Sequence, residues 1–383
     1  MTISLRCRWL TRLCVIVIST LSACSTVSVT DQAKLQPGQL VAVQKQTRSL
    51  LSEAADNWAV SFISTAHTGE STVVQGLVAI PRTPQPASGY PVISWGAGTS
   101  GYAPQCAPSL TTPPARLEFF NNLLKQGYAV LRADYEGWGA QAGRPILHGR
   151  SNAYAIADLV VAAHALPVKL SNDWVAAGHS EGGGAVLWAA SMKDRTKNYP
   201  LKGALALAPT GPGVLTFMTN IADGAPASVG AQPFISVTAL AGQLVDPSIV
   251  LSRLVPQAMN PQIEVARSTC LSGMYRMPLL QPGQYLNKGA DFDKLSRFLQ
   301  QQDPSQLTMQ VPVAIMQGEK DETTVTPPTT KLMIRALCSK GARVHYKEYA
   351  DETHGSVVQA SVKESLRFLD AVFKGEPTAN DCP

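Results

Sequence analysis

The sequence lacks any dense run of lysine and arginine, and its net positive charge is small for its length. The 383 residues carry a formal net charge of +5. Three of those positive charges, Arg6, Arg8 and Arg12, lie in a leader that we expect to be removed. Proteins that bind nucleic acid concentrate positive charge on one surface. A nucleic-acid partner is therefore not expected.

The leader also lacks the roughly 20 apolar residues that a membrane-spanning helix needs. Its apolar segment begins at Leu13, after the three arginines, and ends in Leu21-Ser22-Ala23-Cys24. This pattern resembles a bacterial lipoprotein signal peptide, whose cysteine is lipidated and becomes the new N-terminus. We therefore expect residues 1–23 to be removed and Cys24 to anchor an exported protein at the outer membrane or cell surface. Plain secretion, with cleavage near Ala23, is the alternative.

None of the seven cysteines has the C-x-x-C spacing of zinc and redox sites, so no metal site is expected. Two cysteines leave with the leader, and Cys24 carries the lipid. The four that remain are Cys106, Cys270, Cys338 and Cys382. An even number of cysteines in an oxidising compartment predicts two disulfides, for which three pairings are possible.

Short apolar runs alternate with helical patterns along much of the remaining chain. Such runs are typical of strands that are buried on both faces of a parallel sheet. A helix is expected over residues 153–165, with Ser151 as its N-cap, and another directly after Ser180. The alternation predicts an α/β fold with a mostly parallel sheet and flanking helices. The predicted strands are 58–63, 72–80, 90–95, 129–133, 174–178, 204–208, 313–316 and 344–349.

This alternation stops between Pro209 and about Asp303, where no strand pattern occurs. We interpret the stretch as an insertion above one end of the sheet, and two further α/β units with weak patterns are the alternative. The predicted organisation is a signal peptide at 1–23, a tether at 24–50, a first core segment at 51–209, an insertion at 210–305 and a second core segment at 306–383.

The run Gly178-His179-Ser180-Glu181-Gly182 fits the pattern G-x-S-x-G. It follows a predicted strand and precedes a predicted helix. The flanking glycines allow a sharp turn from strand into helix, which exposes the serine hydroxyl above the edge of the sheet. This context favours Ser180 as a nucleophile over a merely glycine-rich helix start.

A serine nucleophile needs a base, usually a histidine that a carboxylate orients. With a serine turn of this kind, the acid and then the histidine follow along the chain. Only His345 and His354 follow Ser180. Because His345 lies inside a predicted strand, His354 in the polar loop after it is the expected base. His179 is expected to point away from the site and to be structural.

The orienting acid should follow the penultimate strand, which is the predicted strand 313–316. Asp321 lies in the loop after that strand and is the expected acid. Glu319 and Glu322 are rivals, which we interpret as solvated side chains.

Acyl transfer also needs two N–H donors for the oxyanion that forms on the substrate. The backbone N–H of Glu181, at the start of a helix, is the expected first donor. The glycine-rich loop after the strand 90–95 should supply the second, from Thr99 or else from Gly98. A simple glycine-rich turn is the alternative reading of that loop.

Several of these segments, in this order, resemble the secretory lipase family of the α/β-hydrolases. The segments are 95–101 with the following Cys106-Ala107-Pro108-Ser109, the run Ala133-Asp134-Tyr135-Glu136-Gly137, the turn at Ser180, and the surroundings of Asp321 and His354. The resemblance implies an α/β-hydrolase fold. It also implies hydrolysis of carboxylic, acyl-chain esters by a Ser180–Asp321–His354 triad, without a cofactor.

The same resemblance implies that residues 210–305 form a helical lid over an acyl site. It implies that Cys106 pairs with Cys270 and Cys338 with Cys382. This sequence departs from the family at one point, because Ala97-Gly98-Thr99 stands where His-Gly-Thr is usual. The change would keep a backbone donor and remove any hydrogen bond from the imidazole.

Apolar residues of the lid, among them Phe217 and Leu251, are expected to line an acyl tunnel; a purely structural cap is the alternative. Asp134 and Glu136 end a strand and are expected to hold a tight turn rather than to form a catalytic pair. Two other functions fit the same sequence features, namely an amidase or peptidase, and a binding lipoprotein without catalysis.

Overall fold

The computed structural model describes residues 36–46, 51–138, 143–192, 195–322 and 325–382. The predicted signal peptide, Cys24 and the first part of the predicted tether lie outside these ranges. Within the described part of the chain, no helix is both long and apolar enough to cross a membrane.

A nine-stranded sheet organises the molecule, in the order β1-β2-β3-β5-β4-β6-β7-β8-β9. β1 to β3 pair antiparallel, as do β3 and β5, and the strands from β5 to β9 run parallel. The prediction of a mostly parallel sheet is therefore confirmed, and every predicted strand is present. The strands are β1 (Leu40–Lys45), β2 (Ala54–Thr65), β3 (Ser71–Pro81), β4 (Tyr90–Gly96), β5 (Ala129–Ala133), β6 (Leu170–His179), β7 (Leu201–Leu207), β8 (Val313–Gly318) and β9 (Val344–Tyr349).

Helices cover both faces of this sheet. The helices are α1 (Pro114–Lys125), α2 (Gly149–Ala163), α3 (Glu181–Ser191), α4 (Pro212–Ala222), α5 (Gln232–Val245), α6 (Leu251–Leu254), α7 (Asn260–Ser268), α8 (Leu271–Met274), α9 (Ala290–Gln301), α10 (Pro327–Cys338), α11 (Val357–Ala360) and α12 (Val362–Lys374), with 3-10 turns at Pro104–Cys106, Gln257–Met259 and Pro304–Gln306. α2 and α3 pack on one face, and α1 and α12 on the other. The central strands are apolar runs because neither of their faces meets water.

The segment between β7 and β8 contains helices α4 to α9 and no strand. Its apolar side chains form a core of their own, with Ile235, Leu254 and Leu295 fully buried. Tyr102 and Ile146, from loops of the sheet domain, join this second core. The stretch without a strand pattern in the sequence is thus helical and packs against loops of the sheet domain.

Two local features differ from the sequence-based expectation. β1 falls inside the range 24–50 that was predicted to be a tether, so any tether ends before Leu40. Most of β1 is exposed on the edge of the sheet, which leaves little hydrophobic pattern to detect. Ser151 is not the N-cap of α2: the cap is His148, whose side chain accepts a hydrogen bond from the Ser151 N–H.

The order of the strands places a crevice at the carboxyl ends of β4 and β6. The chain passes from β4 to β5 on one side and from β6 to β7 on the other. Loops that leave neighbouring strands in opposite directions open a binding crevice at the sheet edge. The loop after β4 contains Thr99, and the turn after β6 contains Ser180.

Candidate active site

Ser180 occupies the sharp turn between β6 and α3. Its backbone has φ 57° and ψ −120°, a conformation that residues other than glycine rarely adopt. The glycines on either side are required by space: a Cβ on Gly178 would overlap the carbonyl oxygen of Gly182, and a Cβ on Gly182 would overlap that of Gly96. This strained turn holds the Ser180 hydroxyl at the crevice.

Ser180, His354 and Asp321 form a continuous hydrogen-bonded chain. The Ser180 Oγ lies 2.9 Å from His354 Nε2, and His354 Nδ1 lies 2.6 Å from Asp321 Oδ2. An ionised carboxylate only accepts hydrogen bonds, so Nδ1 carries the proton and donates it to Asp321. Nε2 is then free to accept the hydroxyl proton of Ser180.

Asp321 is buried in the loop after β8, whereas Glu319 and Glu322 are exposed. Gln317 Nε2 donates a 3.2 Å hydrogen bond to the same Asp321 oxygen that binds the histidine. Burial and this second donor fix the carboxylate in position. Of the three acids that the sequence offered, Asp321 is thus the one that reaches His354.

The loop after β4 approaches Ser180 closely. A Cβ on Gly98 would lie 3.3 Å from the Ser180 Cβ, which is tighter than ordinary side-chain contact. The Thr99 Oγ1 donates a 2.7 Å hydrogen bond to Glu181 Oε2, so the loop is tied to the first residue of α3. The Glu181 N–H has no partner within the helix, because the first turn of a helix leaves its N–H groups free. The predicted oxyanion residues Glu181, Thr99 and Gly98 are thus brought together beside Ser180.

The side chain of Glu181 binds several neighbouring groups, which sequence reasoning did not predict. Its carboxylate accepts hydrogen bonds from two nitrogens of Arg144, from the Leu147 N–H and from Asn152 Nδ2. The Arg144 guanidinium lies 4.2 Å from the Trp138 ring and is fully buried. Glu181 is the one charged residue of α3, and this is the signal that could have indicated its role.

Several contacts fix the loop that contains Ala97, at the position where the resemblance implies a histidine. The Tyr135 hydroxyl donates a 2.8 Å hydrogen bond to the Ala97 carbonyl. Cys106 and Cys270 form a disulfide that joins this region to the helical segment. The Leu271 N–H donates to the Ser100 carbonyl beside it. The second disulfide joins Cys338 to Cys382, so both pairings that the resemblance implies are present.

The expectation that His179 points away from the site is wrong. Its ring centroid lies 4.6 Å from that of His354, and its Nε2 is 2.7 Å from the His354 carbonyl oxygen. Arg116 Nη2 lies 2.8 Å from His179 Nδ1 and, as a pure donor, fixes the neutral tautomer. Burial, the Arg116 charge and the proximity of His354 hold the pKa of His179 well below its usual range. The loop after β9 folds over the end of β6, so a residue next to the turn still meets the site.

Asp134 and Glu136 bind loop groups near the site. Asp134 accepts hydrogen bonds from the N–H and hydroxyl of Ser109, at 2.9 and 2.6 Å. Burial raises the pKa of Asp134 to about 6 against these hydrogen bonds. Glu136 accepts from the N–H and ring of His67. The two carboxylates anchor loops, as expected, and neither contacts Ser180.

A cavity of about 600 Å³ lies beside Ser180 and His354. Its lining includes Thr99 and Gly98 from the sheet domain, and Phe234, Leu271 and Tyr275 from the helical segment.

A smaller recess of about 10 Å³ lies on another side of Ser180, against Val214 and Thr238. Phe217 and Leu251 line neither space; both pack against the core of the helical segment. The prediction that these two residues face an acyl tunnel is therefore wrong. Among the residues that the structure describes, no cluster of three or more histidine, cysteine or acidic side chains could hold a metal ion.

Comparison of the sequence with protein families gives a match to the family described as "Secretory lipase", over residues 109–381. No curated protein sequence matches the chain. The matched range covers well over half of the chain. It includes the turn at Ser180, Asp321, His354 and two of the four disulfide cysteines, Cys270 and Cys338.

Solved structures share the architecture. Lipase A of Candida antarctica has a TM-score of 0.73 at 19% identity, over 92% of this chain and 86% of its own. A rice cell wall degrading esterase of Xanthomonas oryzae has a TM-score of 0.70 at 17% identity, over 89% of this chain and 100% of its own. A hydrolase of Legionella pneumophila, described as putative, has a TM-score of 0.72 at 16% identity, with the same two coverages of 89% and 100%. These likenesses establish the α/β-hydrolase fold.

Proposed function

The chain belongs to the secretory lipase family, and on that basis we propose that it hydrolyses carboxylic esters through an acyl-enzyme on Ser180. The observation that carries the proposal is the unbroken chain of hydrogen bonds from the Ser180 hydroxyl through His354 to Asp321. A hydroxyl, an imidazole and a carboxylate are hydrogen-bonded in the order that a serine hydrolase needs. They lie beside a cavity that is large enough for a small-molecule ester.

In the first step, His354 Nε2 removes the hydroxyl proton of Ser180 as the Oγ attacks the ester carbonyl. Asp321 stabilises the imidazolium that forms, because its carboxylate is hydrogen-bonded to Nδ1. The imidazolium then gives its proton to the leaving alcohol, and the acyl group stays on Ser180.

The oxyanion of each tetrahedral intermediate binds to the backbone N–H of Glu181 and to that of Thr99 or Gly98. The positive end of α3 adds to this stabilisation. Since Thr99 and Glu181 are hydrogen-bonded to each other, the two donors are held in place before substrate arrives. In the second step His354 activates water, which releases the acid and restores Ser180.

We assign the helical segment 210–305 the role of a lid, because α5 and α8 contribute Phe234 and Leu271 to the cavity wall. Core segments 51–209 and 306–383 then carry the triad. Export fits the family described as secretory lipase. The signal peptide at 1–23 and the lipid anchor at Cys24 remain proposals from sequence, and metabolic labelling with a fatty-acid analogue would test the anchor.

The nucleophile can be tested by labelling with a fluorophosphonate and mapping the adduct. We expect the adduct on Ser180 in the wild type and in Ser191→Ala, a control on the last residue of the same helix. Ser180→Ala should take no label and should lose ester turnover by a factor on the order of 10³–10⁶. A folded Ser180→Ala enzyme with wild-type ester turnover would exclude the proposal, and faster cleavage of a matched anilide would indicate an amidase instead.

A further inference from the structure

Two arginines line the cavity that contains Ser180. Arg132 lies on β5, next to the last residue of the strand, and is 8% exposed. Arg116 lies in the first turn of α1. Both contribute to the wall of the same 600 Å³ cavity as Ser180 and His354. The family resemblance and the proposed mechanism use neither residue.

Neither guanidinium group has an anionic partner within ion-pair distance among the described residues. Arg116 reaches the neutral ring of His179, with its Nη2 2.8 Å from Nδ1. Arg132 Nη1 donates a 3.1 Å hydrogen bond to the hydroxyl of Thr112, and Arg132 Nε is buried without any partner. Each group offers five N–H donors, and most of them bind no residue that the structure describes.

Three other arginines lie beside buried carboxylates and provide a comparison for Arg116 and Arg132. Arg144 makes two hydrogen bonds to Glu181, Arg195 makes two to Asp158, and Arg253 makes two to Asp291. Each of the three thus binds a carboxylate with two of its nitrogens. Arg116 and Arg132 lie in the cavity wall, and their printed side-chain partners are a neutral imidazole and a hydroxyl instead of a carboxylate.

The two cavity arginines carry charge that the protein itself does not neutralise by contact. Burial lowers the pKa of Arg116 and of Arg132 to about 10, so both remain cationic at neutral pH. Asp134 acts on Arg132 from a distance, but its oxygens are held by Ser109. The N-terminus of α1, which begins after Pro113 in the cavity wall, adds positive potential. A buried cation without a partner is unfavourable, and an anion that enters the cavity relieves this cost.

We propose that the substrate is an ester that carries a free carboxylate, which binds Arg132 and Arg116 while Ser180 attacks the ester carbonyl. The proposal rests on the proposed function and narrows its substrate class to anionic esters. The carboxylate can belong to the acid part, as in a monoester of a dicarboxylic acid, or to the alcohol part, as in an ester of a hydroxy acid. In both cases the acyl carbon–oxygen bond breaks, water supplies the hydroxyl and proton, and the products are an acid and an alcohol.

Matched substrates test this inference on the unmodified enzyme. The first arm compares monoethyl esters of four- to eight-carbon dicarboxylic acids with ethyl esters of the monocarboxylic acids of equal length. The second arm compares butyrate esters of hydroxy acids with butyrate esters of alcohols of equal length. We expect kcat/KM to be on the order of 10-fold to 100-fold higher for the charged member of the pairs in one arm, as for a charge-assisted pair. The arm that shows the preference identifies the part that carries the carboxylate.

Variants then locate the preference. Arg132→Met keeps an unbranched stem and removes the guanidinium charge, and should reduce the charged-to-neutral ratio of kcat/KM at least tenfold. The ratio is taken within each variant, so a general loss of activity cancels. Arg132→Lys should restore part of the ratio. Arg335→Met, an exposed position on α10 outside the cavity wall, changes the net charge equally and should keep the wild-type ratio.

The outcomes separate this inference from the proposed function. Rapid cleavage of neutral esters with no preference for charged ones in either arm would overturn the anionic substrate and leave the esterase intact. A preference that persists in Arg132→Met would overturn the role of Arg132. Failure to cleave any ester, together with an unlabelled Ser180, would instead remove the proposed function. The wild-type ratio decides the substrate class even if Arg132→Met does not fold.

Discussion

The Thr99 hydroxyl donates a 2.7 Å hydrogen bond to the carboxylate of Glu181. This contact joins the loop after β4 to the first residue of α3, and so holds together the two places from which the oxyanion donors are expected. We therefore propose two separate tasks for Glu181. Its backbone N–H would bind the oxyanion, and its side chain would position the loop from which the second donor is expected.

Thr99→Val tests this link, because valine keeps the shape of threonine and removes the hydroxyl. We expect kcat to fall by about 10-fold to 100-fold with little change in KM, since the loss of donor alignment affects the transition state more than the bound ester. Thr216→Val, at an exposed hydroxyl in α4, is the matched control and should retain wild-type kinetics. Wild-type kcat in a folded Thr99→Val enzyme would show that the contact does not position the loop.

Chain order was enough to select the three residues that the structure joins by hydrogen bonds. Ser180 is recognised from its glycines, and His354 and Asp321 follow the last two strands, as parallel topology requires. The partners of Glu181 could not be predicted in this way. Arg144 lies 37 positions before it, and only the folded sheet brings them together.

The errors have a related cause. His179 adjoins the turn, and strand alternation alone places it on the opposite side from Ser180. That rule ignores the loop of His354, which folds back over the end of β6. Phe217 and Leu251 were assigned to a tunnel because they are apolar and lie outside the sheet. Hydrophobicity does not distinguish a cavity wall from the separate core that the helical segment builds for itself.

His148 gives the enzyme a predictable sensitivity to mild acid. Its Nδ1 caps α2 by accepting the Ser151 N–H, which requires a neutral ring. Burial, together with His67 and Arg150, lowers the pKa of His148 to about 4 in the folded protein. The unfolded chain, with a pKa near 6.5, then binds the proton more tightly. The neutral His148 ring therefore contributes its full share of the folding stability above about pH 6.5. That contribution is lost as the pH falls from about 6.5 to 4.

The expected loss over this range is on the order of 2 kcal/mol, and urea unfolding at several pH values would measure it. His148→Asn keeps a capping acceptor and removes the titrating ring, so its stability should depend less on pH across this window. His164→Asn, at the C-terminal end of the same helix, is the control and should follow the wild type. Equal pH dependence in wild type and His148→Asn would refute the assignment.

The two disulfides should differ in what their loss does to activity. Cys106–Cys270 joins the loop beside Thr99 to the helical segment, whereas Cys338–Cys382 ties the chain end to α10. Replacing both cysteines of either pair by serine should cost about 2–5 kcal/mol of stability.

Only the Cys106→Ser, Cys270→Ser double variant should also lower kcat/KM at a temperature where both variants are folded, because it frees the loop from which we expect the second oxyanion donor. Denaturant unfolding and ester kinetics on the two double variants make the comparison. Equal activity in the two would show that the first disulfide serves stability alone.

Apolar residues of the helical segment should set the preference for chain length, although not the two that the sequence suggested. Phe234 lines both the large cavity and the small recess beside Ser180. An acyl or alcohol chain that fills this space gains up to about 0.8 kcal/mol for each buried CH₂, or roughly fourfold in kcat/KM.

With neutral nitrophenyl esters, we expect kcat/KM to rise from acetate to at least butyrate. Phe234→Asn should flatten this rise, because it replaces an apolar wall by an amide. Phe217→Asn, which alters an apolar side chain of the same segment outside both spaces, should keep the slope even if it lowers stability. A steady fall from acetate onward in the wild type would mean that the cavity does not receive an apolar chain, and a slope unchanged in Phe234→Asn would mean that another wall selects it.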